Sequence, residues 1–150
     1  MEPDASVTRP AILVSACLLG VRCNHRGQAS PSAAVAALAD EGGYRLVPCC
    51  PEVAGGLPTP RPAAERQPDG RVRTADGTDV TELYARGAAA AVALAAAVGA
   101  SRAVLKARSP SCGCRAIYDG TFRRTLVDGE GVTAAALREA GVEVVSDEEV

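Results

Sequence analysis

Four short apolar segments alternate with three helix-forming segments along this chain, and the alternation limits the fold more than any other feature. Residues 11–15 begin with four apolar side chains and predict a strand buried on both faces, as is usual in parallel sheets. Residues 44–47, 103–106 and 142–145 predict three further strands. Such an alternation predicts a parallel sheet joined by right-handed crossovers. We therefore expect an α/β fold, a three-layer Rossmann-like or flavodoxin-like sandwich with a mostly parallel sheet of about four to five strands.

The three predicted helices are rich in alanine and begin near residues that commonly cap helices. They cover residues 33–40, 80–98 and 134–140, with Ser30, Asp79 (or Thr78) and Thr133 (or Asp128) as the predicted N-caps. Small side chains along the second helix allow its backbone to approach a sheet closely.

A length of 150 residues corresponds to about one domain, so we expect residues 1–150 to form a single domain. Residues 1–10 are expected to be an N-terminal extension. Residues 48–77 contain most of the ten prolines and several glycines, and this density predicts a long loop without regular structure. A loop of that length inside a compact domain is usually functional or disordered.

Charge and hydropathy exclude several classes of partner. Sixteen basic residues against 18 acidic ones give a net charge of −2, which lacks the basic excess typical of nucleic-acid binding. The first residues lack the basic and apolar regions of a secretory signal. The longest apolar stretch, residues 88–98, has 11 residues and is too short to cross a bilayer. We expect a cytoplasmic monomer or homodimer that binds a small molecule, with no nucleic-acid or membrane partner.

Five of the six cysteines follow closely after predicted strands. They are Cys17, Cys49, Cys50, Cys112 and Cys114. Cytoplasmic cysteines are expected as thiols, catalytic groups or metal ligands rather than as disulfides. Because ligands of open α/β sheets bind at the carboxyl ends of the strands, these positions are predicted to meet in one crevice. The alternative is that they are ordinary buried cysteines.

The cysteine spacing fits a structural zinc site poorly, because such sites typically use pairs separated by two to four residues. One cysteine from each of three loops suits an iron–sulfur cluster with three protein thiolates and one open iron. Spacing alone does not separate this arrangement from a redox dithiol formed by Cys112 and Cys114.

Several longer motifs occur in a fixed order along the chain. They are Val-Ser-Ala-Cys-Leu-Leu-Gly at residues 14–20, Cys-Pro-Glu-Val-Ala-Gly-Gly-Leu-Pro-Thr-Pro-Arg at 50–61, Ser-Pro-Ser-Cys-Gly at 109–113 and Tyr-Asp-Gly at 118–120. With these motifs the chain closely resembles the bacterial 2-thiouracil desulfurases over residues 12–145. The resemblance implies a [4Fe–4S] cluster held by Cys17, Cys50 and Cys112, with the fourth iron open to substrate. It also implies non-redox conversion of 2-thiouracil to uracil with release of sulfide.

The resemblance further implies that Glu52 and Ser109 take part in the reaction. Attack by water needs a base, and a carboxylate can serve as one, while the serine hydroxyl can orient the water. Thr59, Arg61 and Ser111 are predicted to bind the substrate. The loop of Thr59 and Arg61 either closes over the site as a lid or is a rigid connector.

Other functions remain compatible with these residues. One is a sulfur-transfer enzyme that uses the same cluster for thiolation, which the lack of a basic RNA-binding surface disfavours. Another is a non-enzymatic iron–sulfur or redox module. A third is a cysteine-based hydrolase or thiol oxidoreductase that works without metal.

Overall fold

The structure, a computed structural model, describes residues 9–150 and contains eight strands and four helices in that part of the chain. In chain order the elements are β1 (Ala11–Ser15), a 3₁₀ turn (Ala16–Leu19), α1 (Ala33–Asp40), β2 (Arg45–Cys49), α2 (Pro51–Ala54), β3 (Ala64–Arg66), β4 (Val72–Thr74), α3 (Thr81–Val98), β5 (Arg102–Leu105), β6 (Ala116–Tyr118), β7 (Leu126–Asp128), α4 (Val132–Glu139), β8 (Glu143–Ser146) and a second 3₁₀ turn (Asp147–Glu149). Most of the predicted N-terminal extension, residues 1–8, lies outside the described residues.

The central sheet has four strands in the order β2-β1-β5-β8, and every neighbouring pair is parallel. Ser15 pairs with Cys49 at the carboxyl end of β1 and β2, so the ends of these two strands are level. All five residues of β1 are buried, as expected for a strand with neighbours on both sides and helices on both faces. The α/β prediction with a mostly parallel sheet is therefore confirmed.

Residues of the central strands alternate between two apolar clusters, one on each face of the sheet. Leu13 and Leu105 pack into the cluster that includes Ala91 of α3 and Leu137 of α4. Ile12, Val14 and Val104 pack on the other face with Val35 of α1. The sheet is thus the middle of three layers, and its carboxyl edge is left uncovered by helices for a site.

All three predicted N-caps are wrong in detail. The N-cap of α3 is Val80, with no side-chain cap hydrogen bond, rather than Asp79 or Thr78. The N-cap of α1 is Ser32 rather than Ser30, and its hydroxyl accepts the N–H of Val35 at 3.2 Å. The N-cap of α4 is Gly131, which has no capping side chain, so neither Thr133 nor Asp128 takes that role. Thr133 instead lies inside the helix, where it is fully buried.

Helix α3 was predicted over residues 80–98 and is observed over Thr81–Val98. It therefore extends beyond the 11-residue apolar stretch at residues 88–98. It spans 18 residues, and by length and composition it is the one helix among residues 9–150 that could cross a membrane. Its Tyr84, Gly87, Ala88, Ala91 and Ala95 are buried inside the fold. On this buried side, alanine and glycine allow the helix to approach its neighbours closely.

The prediction that residues 48–77 lack regular structure is wrong in part. The segment contains the end of β2, the short helix α2 and the antiparallel pair β3 and β4. Proline is tolerated here because Pro51 stands in the first turn of α2, where its missing N–H has no intrahelical acceptor. A second antiparallel pair, β6 and β7, follows the third cysteine motif.

Two glycines bring α2 and α3 into backbone contact. A Cβ atom at Gly87 would lie 2.0 Å from the Pro51 carbonyl oxygen, and one at Gly55 would lie 2.0 Å from the Leu83 carbonyl oxygen. Only glycine fits such a separation. The contact fixes the helix that carries Glu52 against the helix that carries Tyr84.

Candidate active site

A cavity of about 480 Å³ opens at the carboxyl edge of the central sheet. This volume lies in the usual range for small-molecule sites. Five cysteines line it, namely Cys17, Cys23, Cys49, Cys50 and Cys112. The predicted convergence of cysteines from three strand ends is thereby confirmed, with Cys114 outside the lining and Cys23 an additional member.

The three cysteines of the sequence motifs are held by three different local structures. Cys17 lies in the 3₁₀ turn after β1, and Cys50 is the N-cap of α2 after β2. Cys112 ends a turn after β5, in which the Ser109 hydroxyl oxygen accepts the N–H groups of Ser111 and Cys112 at 3.1 and 3.0 Å. Ser109 lines the cavity and also fixes the turn that carries Cys112.

Burial makes four thiols, those of Cys17, Cys23, Cys49 and Cys112, weak acids in the metal-free protein. It raises the pKa of Cys17 and Cys49 to about 11 and that of Cys23 to about 12, and negative charge on Cys50 adds to the effect. Burial also raises the pKa of Cys112. The thiols therefore hold their protons at neutral pH, and a metal that binds them must displace protons.

Ser15 supports Cys112 from the end of β1. Its hydroxyl oxygen accepts the backbone N–H of Lys106 at 2.9 Å, and its side chain opposes the rise in the pKa of the Cys112 thiol. A hydroxyl donor of this kind stabilises sulfur in its thiolate form.

Glu52 lies in the first turn of α2 and lines the same cavity. Its Oε2 atom accepts hydrogen bonds from Arg61 Nε and from the Tyr84 hydroxyl, each at 3.0 Å. Arg61 Nη2 lies 2.9 Å from the same oxygen, and the two side chains are 3% and 14% exposed. The carboxylate is thus held by one cation and one phenol within a nearly buried ion pair.

The structure does not leave Arg61 free to bind substrate as predicted. Besides Glu52, its guanidinium donates to the carbonyl oxygens of Cys23 at 2.9 Å and Pro58 at 3.2 Å, and to the Thr59 hydroxyl at 3.2 Å. All of its donor groups are therefore engaged within the protein. Thr59 is exposed and does not line the cavity, whereas Arg61 lines it and fastens the loop to Glu52.

Ser111 is likewise turned away from the cavity. Its hydroxyl lies 2.8 Å from the Thr133 hydroxyl of α4, and both residues are buried. The hydroxyl is used to join the cysteine turn to α4, which explains why a motif residue adjacent to Cys112 does not reach the cavity.

The wall opposite the thiols comes from the segment after β6. The Glu65 carboxylate of β3 accepts the N–H groups of Gly120 at 2.9 Å and Phe122 at 3.1 Å. Phe122 and Arg124 line the cavity, and both have a left-handed backbone, with φ of 59° and 57°. Such a conformation is uncommon for side chains of this size, and at Phe122 the bond from its N–H to Glu65 helps to hold it.

Basic side chains outnumber acidic ones around the cavity. The basic lining residues are His25, Arg26, Arg61, Lys106, Arg108 and Arg124, against the acidic Glu52 and Glu65. Burial lowers the pKa of His25, and the positive charges of Arg26 and Arg61 lower it further. His25 is therefore neutral near pH 7.

The donor set of the cavity is dominated by sulfur. Thiolates are the usual protein ligands of iron–sulfur clusters, and they select soft metals over hard ones. Within residues 9–150, no group of three or more His, Cys, Asp or Glu side chains is placed to hold a metal ion by itself.

Fold and site together define the class, a parallel α/β protein with a thiol-lined ligand cavity at the carboxyl edge of its sheet. A model of the 2-thiouracil desulfurase family matches residues 12–149. The chain belongs to the 2-thiouracil desulfurase family, and the resemblance found in the sequence is confirmed.

Two individual proteins illustrate the relationship. The uncharacterized protein YbbK of Bacillus subtilis (strain 168) is 43% identical over 148 residues, which cover 93% of this chain and 97% of that protein. A solved structure described as the [4Fe–4S]-dependent thiouracil desulfidase TudS is similar with a TM-score of 0.87 and 47% sequence identity. The similarity covers 95% of this chain and 93% of the other.

Tyr84 is one of the site residues that the sequence did not indicate. It lies in the first turn of an alanine-rich helix, with no motif around it, and aromatic residues at helical spacing usually pack in a core. Tyr84 differs from an ordinary core residue in one respect: its hydroxyl hydrogen-bonds Glu52, which lies 32 residues away in the chain.

Proposed function

We propose that this protein is a [4Fe–4S]-dependent desulfurase that converts a thiolated pyrimidine such as 2-thiouracil to the oxo compound, with sulfide as the second product. The observation that carries the proposal is the meeting of Cys17, Cys50, Cys112 and Glu52 on one cavity. Family membership supports the substrate class, and the similar solved structure is described as a thiouracil desulfidase that depends on this cluster.

The thiols fit the cluster by ligand chemistry and by placement at three strand ends. In this proposal Cys17, Cys50 and Cys112 hold it, because each lies in or next to a short hydrogen-bonded turn at the cavity. When bound, the cluster supplies a soft Lewis-acidic iron that polarises the substrate's C=S group. Cys23 and Cys49 remain as neighbouring thiols.

Glu52 is proposed to act as the general base. The overall change is replacement of sulfur by the oxygen of water at one ring carbon, so water must lose protons as it attacks. The Oε1 atom of Glu52 accepts a proton from water, while Oε2 stays bound to Arg61 and Tyr84. Both protons of the water leave with the sulfur as hydrogen sulfide, one of them by way of Glu52, so no oxidant or reductant is consumed.

Ser109 is proposed to orient the attacking water. Its hydroxyl oxygen already accepts two backbone N–H groups, which fixes the oxygen in position. The hydroxyl proton is left to donate into the cavity. We further propose that the chain acts as one domain, in the cytoplasm, on the free small molecule.

The direct test is anaerobic reconstitution followed by iron and sulfide analysis. Turnover of 2-thiouracil is then measured by the loss of its near-ultraviolet absorbance. We expect four irons per chain and turnover in the wild type, and loss of both in Cys112→Ser. Cys114→Ser is the matched control, because Cys114 does not line the cavity, and it should keep both. A protein that binds no iron, or that removes sulfur equally well without it, would contradict the proposal.

A further inference from the structure

We infer that Tyr84 is a positioning residue that orients the Glu52 carboxylate for proton transfer, an inference that rests on the proposed function. Nothing in the sequence motifs assigns Tyr84 a role. The inference follows from the way donors are distributed over the two carboxylate oxygens of Glu52.

All three donors that reach Glu52 converge on one oxygen. The Tyr84 hydroxyl and Arg61 Nε each donate to Oε2 at 3.0 Å, and Arg61 Nη2 lies 2.9 Å from it. Among residues 9–150 no hydrogen bond is made to Oε1. Since Glu52 lines the cavity, Oε1 is the oxygen left to accept a proton there.

Arg61 alone does not fix the carboxylate. A guanidinium that binds one N–H to each carboxylate oxygen sets the plane of the carboxylate, but here both nitrogens address the same oxygen. The carboxylate can then turn about that single oxygen. The Tyr84 hydroxyl donates to Oε2 from a different helix. This second hydrogen bond limits the rotation of the carboxylate and so sets the position of Oε1.

Tyr84 is itself held rigidly enough to act in this way. Its side chain is 2% exposed, and Glu52 is the one hydrogen-bond partner of its hydroxyl within the part of the chain that the structure describes. Three residues further along α3, Gly87 touches the backbone of Pro51. The phenol and the carboxylate therefore stand on two helices in backbone contact.

The test is Tyr84→Phe, which keeps the ring and removes only the hydroxyl. In the reconstituted protein we expect kcat for 2-thiouracil to fall about ten- to a hundredfold, the range that small misplacements of a reacting group cause. Tyr84 lines the cavity, but its hydroxyl is bonded to Glu52. We therefore expect KM and iron content to stay unchanged, because in this scheme the hydroxyl serves Glu52 rather than the substrate or a thiol. Tyr44→Phe, on the α1 side of the sheet, is the matched control and should keep wild-type kcat.

A double-mutant cycle separates positioning from general packing. If Tyr84 acts through Glu52, then Tyr84→Phe lowers kcat in the wild type but not in a Glu52→Gln background. Equal losses in both backgrounds would overturn the inference, and so would an unchanged kcat in Tyr84→Phe. The cycle is run at a temperature at which circular dichroism shows all four proteins folded.

A second readout does not depend on turnover. The same four proteins, without metal, are unfolded in urea, and non-additive free energies of unfolding are expected if the hydroxyl and the carboxylate are bonded. Additive values would overturn the inference even if kcat falls. A wild type that reconstitutes but turns over no thiopyrimidine would instead refute the proposed function, which distinguishes the two failures.

Discussion

The α-carbon of Gly87 and the carbonyl oxygen of Pro51 are so close that a methyl group on Gly87 would lie 2.0 Å from that oxygen. This contact joins α3 to α2, the short helix that begins at one proposed cluster ligand and carries the proposed base. The spacing between these helices is therefore a determinant of the site as well as of stability.

Gly87→Ala is expected to destabilise the protein by about 1–3 kcal/mol, because the added methyl group forces the helices apart. Helix propensity alone predicts the opposite sign, a gain of about 0.5–1 kcal/mol. Urea unfolding measures the sign. Ala89→Gly, at an exposed position of the same helix, is the control and should cost about 0.5–1 kcal/mol. A more stable Gly87→Ala protein would show that the helices can separate freely.

Removal of Arg61 is expected to be far more costly than removal of a surface arginine. Arg61→Ala leaves the Glu52 carboxylate in its nearly buried position without a cation, and we expect a loss of about 3–5 kcal/mol. The stability of Arg61→Lys should lie between those of the wild type and Arg61→Ala, since lysine keeps the charge but lacks the planar fork of the guanidinium.

Arg86→Ala supplies the comparison for Arg61. Arg86 pairs with Glu82 one turn away on α3, with side chains 63% and 79% exposed. Its removal should cost no more than about 0.5 kcal/mol in the same urea experiment. Similar losses at the two arginines would mean that the Glu52 pair is not buried in solution.

The metal-free protein is expected to lose stability as the pH rises from about 9 to 11. Burial raises the pKa of Cys49 from 9.0 to about 11, so in this window the folded chain keeps a proton that the unfolded chain has released. Stability from this thiol is complete below pH 9 and falls by about 2–3 kcal/mol across the window. Urea unfolding of wild type and Cys49→Ala at several pH values measures it. Plotted against pH, the free energies of unfolding of the two proteins should run parallel below pH 8 and converge above pH 9. Parallel plots over the whole range would contradict the prediction.

Ser111→Ala is expected to affect stability without affecting substrate binding. The change leaves the Thr133 hydroxyl without its partner inside the protein, which should cost about 1–3 kcal/mol. KM for 2-thiouracil should stay within twofold of the wild type. An increase in KM at unchanged stability would favour the role in substrate binding that the sequence suggested.

The convergence of the cysteines on one cavity was predictable because it depends on a local strand signal and on a general rule for parallel sheets. Each strand before a cysteine motif is a short apolar run, and parallel strands bring their carboxyl ends to one edge. Cys17, Cys50 and Cys112 therefore came together as expected. Family membership was predictable for a different reason, since several multi-residue motifs stand in a fixed order.

The directions of individual side chains were not predictable. Ser111 turns to Thr133, 22 residues later in the chain, and Arg61 turns inward to Glu52. Neither side-chain direction has a local sequence signal, because each depends on a partner that only the tertiary fold brings into contact. The short strands β3, β4 and β7 were missed for a related reason, since three residues are too few to show an alternating pattern.

The order of strands in the sheet has a consequence for how the protein matures in the cell. β5 lies between β1 and β8, so the centre of the sheet cannot close until β5 has left the ribosome. Cys17 and Cys50 emerge well before Cys112, and a nascent chain offers two of the three proposed ligands without the cavity that shields them. The three proposed ligands can therefore act together only once Cys112 has emerged, and until then Cys17 and Cys50 lack the cavity that shields them.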